Sequence, residues 1–213
     1  MRKQSVKIVF LGDSITDAGK SLAGGSMVSI GQGYAMLIAA RLGLKYPGQF
    51  EFVNAAVCGS RVTDLYARIK TDAWNQKPNI VSILIGVNDV WHDFDEIPAG
   101  VETSRFERIY RLLLEDTIER DPKVQFLLLE PFALRASATE AHWDEFHAEV
   151  LLRAEVVKRI AEDFHAYFVP LQKPLEEASK LQQENYWLAD GVHPTPAGHQ
   201  IIANAWLNAF EKI

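Results

Sequence analysis

The chain predicts an α/β protein: a three-layer α/β/α sandwich around a five-stranded parallel sheet. Five short apolar runs alternate with longer stretches of helical periodicity. Three of the runs are near-continuous in apolar residues, as strands buried on both faces require. The regular strand–helix alternation favours parallel strands joined by helices lying on both faces of the sheet.

Taken in order, Val6–Leu11 is the first strand, and it runs directly into Gly12-Asp13-Ser14. Gly33–Leu44 follows as a helix, with Tyr34, Leu37, Ile38 and Leu42 at helical spacing. Phe50–Asn54 is the second strand. Thr63 is placed to cap a helix over Asp64–Asp72, with Asp64 favourable in the first turn. Ile80–Ile85 is the third strand. Thr103–Arg120 then carries Phe106, Ile109, Leu113 and Thr117 on one stripe. Val124–Glu130 is the fourth strand, Ala141–His165 a long amphipathic helix and Tyr167–Pro170 the fifth strand. Thr195 followed by Pro196 reads as an N-cap and a first-turn proline. The last helix then shows Ile201, Ile202, Ala205, Trp206 and Phe210 on one face.

The chain has 213 residues, 48% hydrophobic and 23% charged. That predicts one domain over residues 1–213, with no linker or repeat, able to bury roughly 70% of its unfolded surface. Its formal net charge of −6 and scattered basic residues speak against nucleic acid or an anionic membrane as partner. The apolar stretch after the first residues is too short for a signal sequence. No run reaches the ~18 apolar residues a membrane span needs. The one cysteine, Cys58, allows no intrachain disulfide and is read as a small buried thiol. These features suit a cytoplasmic protein.

Ligands of open parallel sheets bind beyond the carboxyl ends of the strands. Ser14 follows the first strand, Cys58-Gly59-Ser60 the second and Gly86-Val87-Asn88-Asp89 the third. With a flavodoxin-like strand order 2-1-3-4-5, these three loops converge on one crevice. Ser14 offers a nucleophilic hydroxyl, His193 a general base, and Asp190 a carboxylate to orient the base. Donors for an oxyanion come from the Asn88 amide and the N–H groups of Gly59 and Ser14. Asp13 and Asp89 are read as loop supports. Asp13, Trp91, Tyr186 and Trp187 are candidates for contact with substrate. No metal or cofactor is expected: His199 lies apart from His193 inside the last helix, and His142 and His147 do not share a helical face. The stretch Ser14–Ser21 nearly spells a phosphate loop, but Ser14 stands where its first glycine belongs, and Leu22-Ala23-Gly24-Gly25-Ser26 cannot begin a good helix.

Gly12-Asp13-Ser14-Ile15, Gly59, Gly86-Val87-Asn88-Asp89 and Asp190-Gly191-Val192-His193 together resemble the four blocks of the GDSL, or SGNH, hydrolases. The resemblance spans almost the whole chain. It implies the SGNH hydrolase fold, with Ser14 as nucleophile, Gly59 and Asn88 as oxyanion donors, and Asp190 and His193 completing the triad. Gly31-Gln32-Gly33-Tyr34, Asn88-Asp89-Val90-Trp91 and Tyr186-Trp187-Leu188-Ala189 resemble intracellular carbohydrate acetylesterases, particularly those similar to acetylxylan esterases. The implied substrate is an O-acetylated, xylan-derived or related oligosaccharide. A homo-oligomer would supply a second wall to the site. Two other readings stand beside this one. A lysophospholipase or thioesterase would want a long apolar groove, whereas the 17–33 loop is rich in Gly and Ser. A non-catalytic carbohydrate-binding relative would not need the intact constellation.

Overall fold

The structure, a computed structural model, describes residues 5–21 and 29–213. Its sheet has five parallel strands in the order β2-β1-β3-β4-β5. They are β1 (Val6–Gly12), β2 (Phe50–Asn54), β3 (Ile80–Leu84), β4 (Gln125–Leu129) and β5 (Tyr167–Val169). Each lies within about a residue of its apolar run, and the strand order is the one expected.

The helices are α1 (Ser14–Asp17), α2 (Tyr34–Lys45), α3 (Val62–Asp72), α4 (Val87–Trp91), α5 (Thr103–Arg120), α6 (Trp143–Asp163), α7 (Gln172–Ser179), α8 (Glu184–Trp187) and α9 (Pro196–Phe210). They cover both faces of the sheet. Side chains alternate along each strand, so a near-continuous apolar run feeds two cores. Ile8, Phe10, Leu127 and Leu129 pack with Ile38 of α2 and Trp206 of α9. Val9, Leu11, Ile83 and Leu128 pack with Leu65 of α3, Phe106 and Leu113 of α5, and Val157 and Ile160 of α6.

Ser82 is the one polar residue of β3, and it faces the first core. The fully buried Trp206 indole N–H donates to its Oγ at 2.9 Å. Phe10 then fills the space between the Trp206 and Tyr34 rings, each 5.9 Å away.

Two local expectations change. Helix α3 begins at Val62, so Thr63 is not its cap; Asp64 Oδ2 instead accepts the Arg61 N–H at 2.9 Å and the Arg61 Nε–H at 3.0 Å. The 141–165 helix opens as a 3₁₀ turn over Glu140–His142 before α6 starts. Helices α7 and α8 complete the stretch before the last helix. Thr195 behaves as expected: its Oγ1 accepts the Gly198 N–H at 3.3 Å, and Pro196 opens α9. The segment Leu22–Ser26 lies outside the described residues, so the reading that it cannot begin a helix falls there too.

Ser82→Ala removes one oxygen but strands a buried indole N–H. Urea unfolding should show a loss of about 1–3 kcal/mol, against little change expected from volume alone.

Candidate active site

The site forms where β1 and β3 end side by side. Gly12 pairs with Leu84 across the ladder. A side-chain carbon on Gly12 would lie 2.4 Å from Thr16 Oγ1 and 2.6 Å from the Leu84 carbonyl. Glycine there lets the chain turn at once from strand into α1. Asp13 caps that short helix, its Oδ1 accepting the Ile15 N–H at 2.9 Å. Ser14 is thereby the first residue of a helix at the sheet's carboxyl edge. Beneath it, Thr16 Oγ1 and the Tyr34 hydroxyl share a hydrogen bond of 2.9 Å.

His193 and Asp190 arrive on the loop between α8 and α9. The loop is closed by an antiparallel bridge between Leu188 and Pro194. The Ala189 N–H donates to the His193 carbonyl at 2.8 Å, and the Thr195 N–H to the Trp187 carbonyl at 2.9 Å. Asp190 Oδ1 accepts the N–H groups of Val192 at 2.9 Å and His193 at 2.8 Å. Gly191 has φ +103°, and a side chain there would strike the Leu134 carbonyl at 2.5 Å. Its own carbonyl accepts the Leu134 N–H at 2.9 Å, and that of Asp190 accepts the Ala138 N–H at 3.0 Å. The loop is thus pinned to the segment after β4.

His193 Nδ1 lies 2.7 Å from Asp190 Oδ2, and His193 Nε2 lies 2.9 Å from Ser14 Oγ. The carboxylate assigns the imidazole proton to Nδ1, which leaves the Nε2 lone pair for the Ser14 hydroxyl. Partial burial would raise the Asp190 carboxyl, but hydrogen bonds from His193 and the Val192 N–H overturn that and hold it at about 2. The bond from Asp190 raises the His193 pKa against partial desolvation, and the charges of Asp190 and Asp13 add to the rise.

Gly59 and Asn88 flank the same strand ends. Gly59 sits at φ +76° in a turn closed by the Ser60 N–H on the Val57 carbonyl at 3.2 Å. The Val57 N–H in turn donates to the Gly12 carbonyl at 3.1 Å. Asn88 is buried in α4, and its Nδ2 donates to the Ser60 carbonyl at 3.1 Å. An amide nitrogen carries two hydrogens, so one remains after that bond. Cys58, on the same turn, is exposed rather than buried, because the turn carries it away from the sheet.

Two acids are sealed beneath these loops. Asp89 is fully buried and accepts the Val62 N–H at 3.0 Å. Asp13 is fully buried too, and its Oδ2 has no hydrogen-bond partner among the described residues. Desolvation pushes each carboxyl up to about 7. The buried Arg153, whose Nη2 donates to the Val101 carbonyl at 2.7 Å, moderates Asp89.

Of the aromatic candidates, Trp91 meets His193: its ring lies 5.9 Å from that of His193 and 6.0 Å from Phe146. Tyr186 and Trp187 meet each other edge to face at 4.9 Å. The Trp187 side chain packs on the core, and Tyr186 is exposed. Among the described residues, the ring paired with His193 is that of Trp91 and not of Tyr186 or Trp187. Their carbonyls act instead, Tyr186 accepting the Thr195 hydroxyl at 2.7 Å. Phe94, His142 and Phe146 extend the wall begun by Trp91, with Phe94 5.1 Å from His142 and 5.8 Å from Phe146. Sequence reasoning missed these three; the only signal was the Trp91–Phe94 spacing just after Asn88. His199 is buried, its Nδ1 accepting the Tyr34 N–H at 3.2 Å. Among the described residues no group of three or more His, Cys, Asp or Glu could hold a metal.

The arrangement can deliver a serine oxygen to a carbonyl and return its proton to a leaving group. The GDSL-like Lipase/Acylhydrolase family profile matches residues 10–201. An acetylxylan esterase of Geobacillus stearothermophilus is 35% identical over 206 residues, 94% of this chain and 92% of that protein. The crystal structure of Axe2, an acetylxylan esterase from the same organism, superposes with a TM-score of 0.85 at 34% identity, covering 98% of this chain and 96% of that one. LAE5, an alpha/beta hydrolase enzyme from the metagenome of Lake Arreo in Spain, gives a TM-score of 0.86 at 31% identity, over 98% and 97% of the two chains.

The buried acids give a stability test. A carboxyl raised from 3.8 to about 7 stabilises the fold fully below its unfolded value, and the contribution is lost as pH rises to about 7. Thermal melts of Asp89→Asn should therefore lose less Tm between pH 4 and pH 8 than the unsubstituted protein does.

Proposed function

Because the chain belongs to the GDSL-like lipase/acylhydrolase family and is a carboxylic ester hydrolase, we propose that it removes O-acetyl groups from short, xylan-derived or related oligosaccharides through an acyl-enzyme on Ser14. The observation that carries the mechanism is the unbroken path from Ser14 Oγ to His193 Nε2 at 2.9 Å and from His193 Nδ1 to Asp190 Oδ2 at 2.7 Å. Catalytic mutants of Axe2 replace a serine in one case and an aspartate in another, the residue types that stand here at Ser14 and Asp190. The substrate class rests on the similarity to acetylxylan esterase in both sequence and structure.

In this reading Ser14 Oγ attacks the acetyl carbonyl as its proton passes to His193 Nε2. Asp190, ionised throughout, stabilises the imidazolium. The carbonyl oxygen becomes an oxyanion received by the N–H groups of Ser14 and Gly59 and the remaining Asn88 amide hydrogen. The Asn88–Ser60 bond fixes that amide before substrate arrives. His193 then hands the proton to the departing sugar hydroxyl. Water then attacks the acyl carbon as its proton passes to His193, and the bond to Ser14 Oγ breaks as His193 returns that proton to the serine oxygen, releasing acetic acid. Trp91, beside the base, is placed to meet the sugar. Every step uses side chains of this chain and water, and none calls on a cofactor. The single cysteine supports a reducing, cytoplasmic setting in which the enzyme meets imported oligosaccharides rather than polymer.

A fluorophosphonate should label Ser14 stoichiometrically, and loss of neither label nor activity in Ser14→Ala would end the proposal. A panel of acetylated xylo-oligosaccharides, run beside acetyl and octanoyl nitrophenyl esters, tests the substrate class; a preference for octanoyl would point to a lipolytic enzyme instead. Asn88→Ala should lower kcat on a small acetate ester by ~10²–10³. The base must be neutral to act, and the His193 pKa is raised above 6.5. A pH series of kcat/KM should therefore fall off on the acid side with a midpoint above 6.5.

A further inference from the structure

Two of the oxyanion donors come from loops far apart in sequence: Gly59 after β2, and Asn88 in α4 after β3. Such donors work only if they are spaced for one oxygen before substrate arrives. The position of α4 against the Gly59 turn therefore matters to the chemistry. One link between them is the Asn88 Nδ2 bond to the Ser60 carbonyl at 3.1 Å. That link uses the very amide that has to meet the substrate.

Asp89, the next residue of α4, supplies a second link. Its carboxyl meets the N–H of Val62, the first residue of α3, with Oδ1 at 3.0 Å and Oδ2 at 3.2 Å. A helix leaves its first N–H groups without intrahelical partners, and a side chain just before it ordinarily serves them. Here the preceding residue is Arg61, whose side chain carries only donors, so the acceptor for Val62 comes from another element. Consecutive residues of α4 thus grip residues 60 and 62 of one segment, directly after Gly59. Asn88, Asp89 and Val62 are all buried. The backbone of Asp89 is held as well: its carbonyl accepts the Val101 N–H at 2.8 Å, and the Val101 carbonyl accepts Arg153 Nη2 of α6 at 2.7 Å. Burying a carboxyl is unfavourable in itself. An apolar side chain would fill the space without that penalty but would strand the Val62 N–H.

We propose that Asp89 is the positioning residue of the oxyanion hole: its hydrogen bond to Val62 sets the distance between the Gly59 turn and Asn88. The proposal rests on the acyl-transfer reading of Ser14, Gly59 and Asn88. Asp89 acts through those donors and exchanges no proton in the reaction. What counts is an acceptor oxygen at this place, and a carboxyl offers one whether or not it carries a charge. Without it, the start of α3 and the turn before it lose their tie to α4. The two donors then no longer converge on one oxygen, and a displacement of a fraction of an ångström is enough to slow the chemistry.

Asp89→Leu removes the acceptor at similar volume. It should lower kcat on a small acetate ester about tenfold with KM little changed. It should also weaken inhibition by a boronic acid, which binds the serine as a tetrahedral adduct, by about the same factor. Asp89→Asn keeps an acceptor oxygen and should restore most of both. Val62→Pro breaks the same bond from the other side. Arg61 is extended, with φ −104° and ψ 173°, as a residue before proline must be, and the first position of a helix accepts proline. That variant should reproduce the losses of Asp89→Leu with Asp89, Asn88 and Gly59 all unchanged. Undiminished kcat and boronic acid affinity in folded Asp89→Leu or Val62→Pro overturn the proposal, and so does an Asp89→Asn as impaired as Asp89→Leu. Should Asp89→Leu fail to fold, Val62→Pro decides. Fluorophosphonate labelling of Ser14 in the unsubstituted protein, with unimpaired variants, refutes only this proposal, whereas absent labelling refutes the acyl-enzyme reading itself.

Discussion

The pairing of β1 with β3 is the constraint from which the site follows. At its carboxyl end Gly12 lies against the Leu84 carbonyl with no space for a side chain. That closeness puts the chain's first turn, at Ser14, beside the turn of α4 that carries Asn88. It also brings the Gly12 carbonyl to the Val57 N–H, which draws the Gly59 turn toward the same corner. Three loops distant in sequence meet because two strand ends touch. The remaining partner, the His193 loop, is brought to them by α9, whose Trp206 is anchored on Ser82 in the middle of β3.

The electrostatics of this corner divide its acids by hydrogen bonding rather than by depth alone. Asp190 is partly exposed and receives two backbone N–H groups besides the imidazole, so it stays ionised well into acid. Asp13 and Asp89 are sealed and receive fewer donors, so desolvation holds both toward neutrality, and the charge of Asp13 adds to the rise at Asp89. Carboxyls of one chemical type are therefore shifted in opposite directions around Ser14.

Much of this was legible in the sequence because burial on both faces leaves a plain mark. The strands appear as apolar runs, and the last helix announces itself through Thr195-Pro196. The contact between Asp190 and His193 was legible because the two share one turn, and a three-residue separation can be read without knowing the fold. Other features depend on contacts that sequence does not express. Arg61, not Thr63, precedes α3, because Asp64 reaches back to it from the first turn. Cys58 is small and apolar enough to be buried, yet its turn faces outward. Tyr186 and Trp187 flank the last block as Trp91 flanks the third, but only the Trp91 ring reaches His193. Arg153 is buried because the Val101 carbonyl and the Thr103 hydroxyl meet it, partners some fifty residues away.

Thr195 joins two structures that are usually considered apart. Its hydroxyl donates to the Tyr186 carbonyl and accepts from the Gly198 N–H, while its own N–H closes on Trp187. The loop bearing the base and the first turn of α9 therefore share one residue's hydrogen bonds, and α9 is itself part of the core. His193 has no support independent of that helix start in these bonds, so loosening of the terminal helix would carry to His193 and its contact with Ser14. In the proposed mechanism, activity is therefore tied to the order of the C-terminal segment.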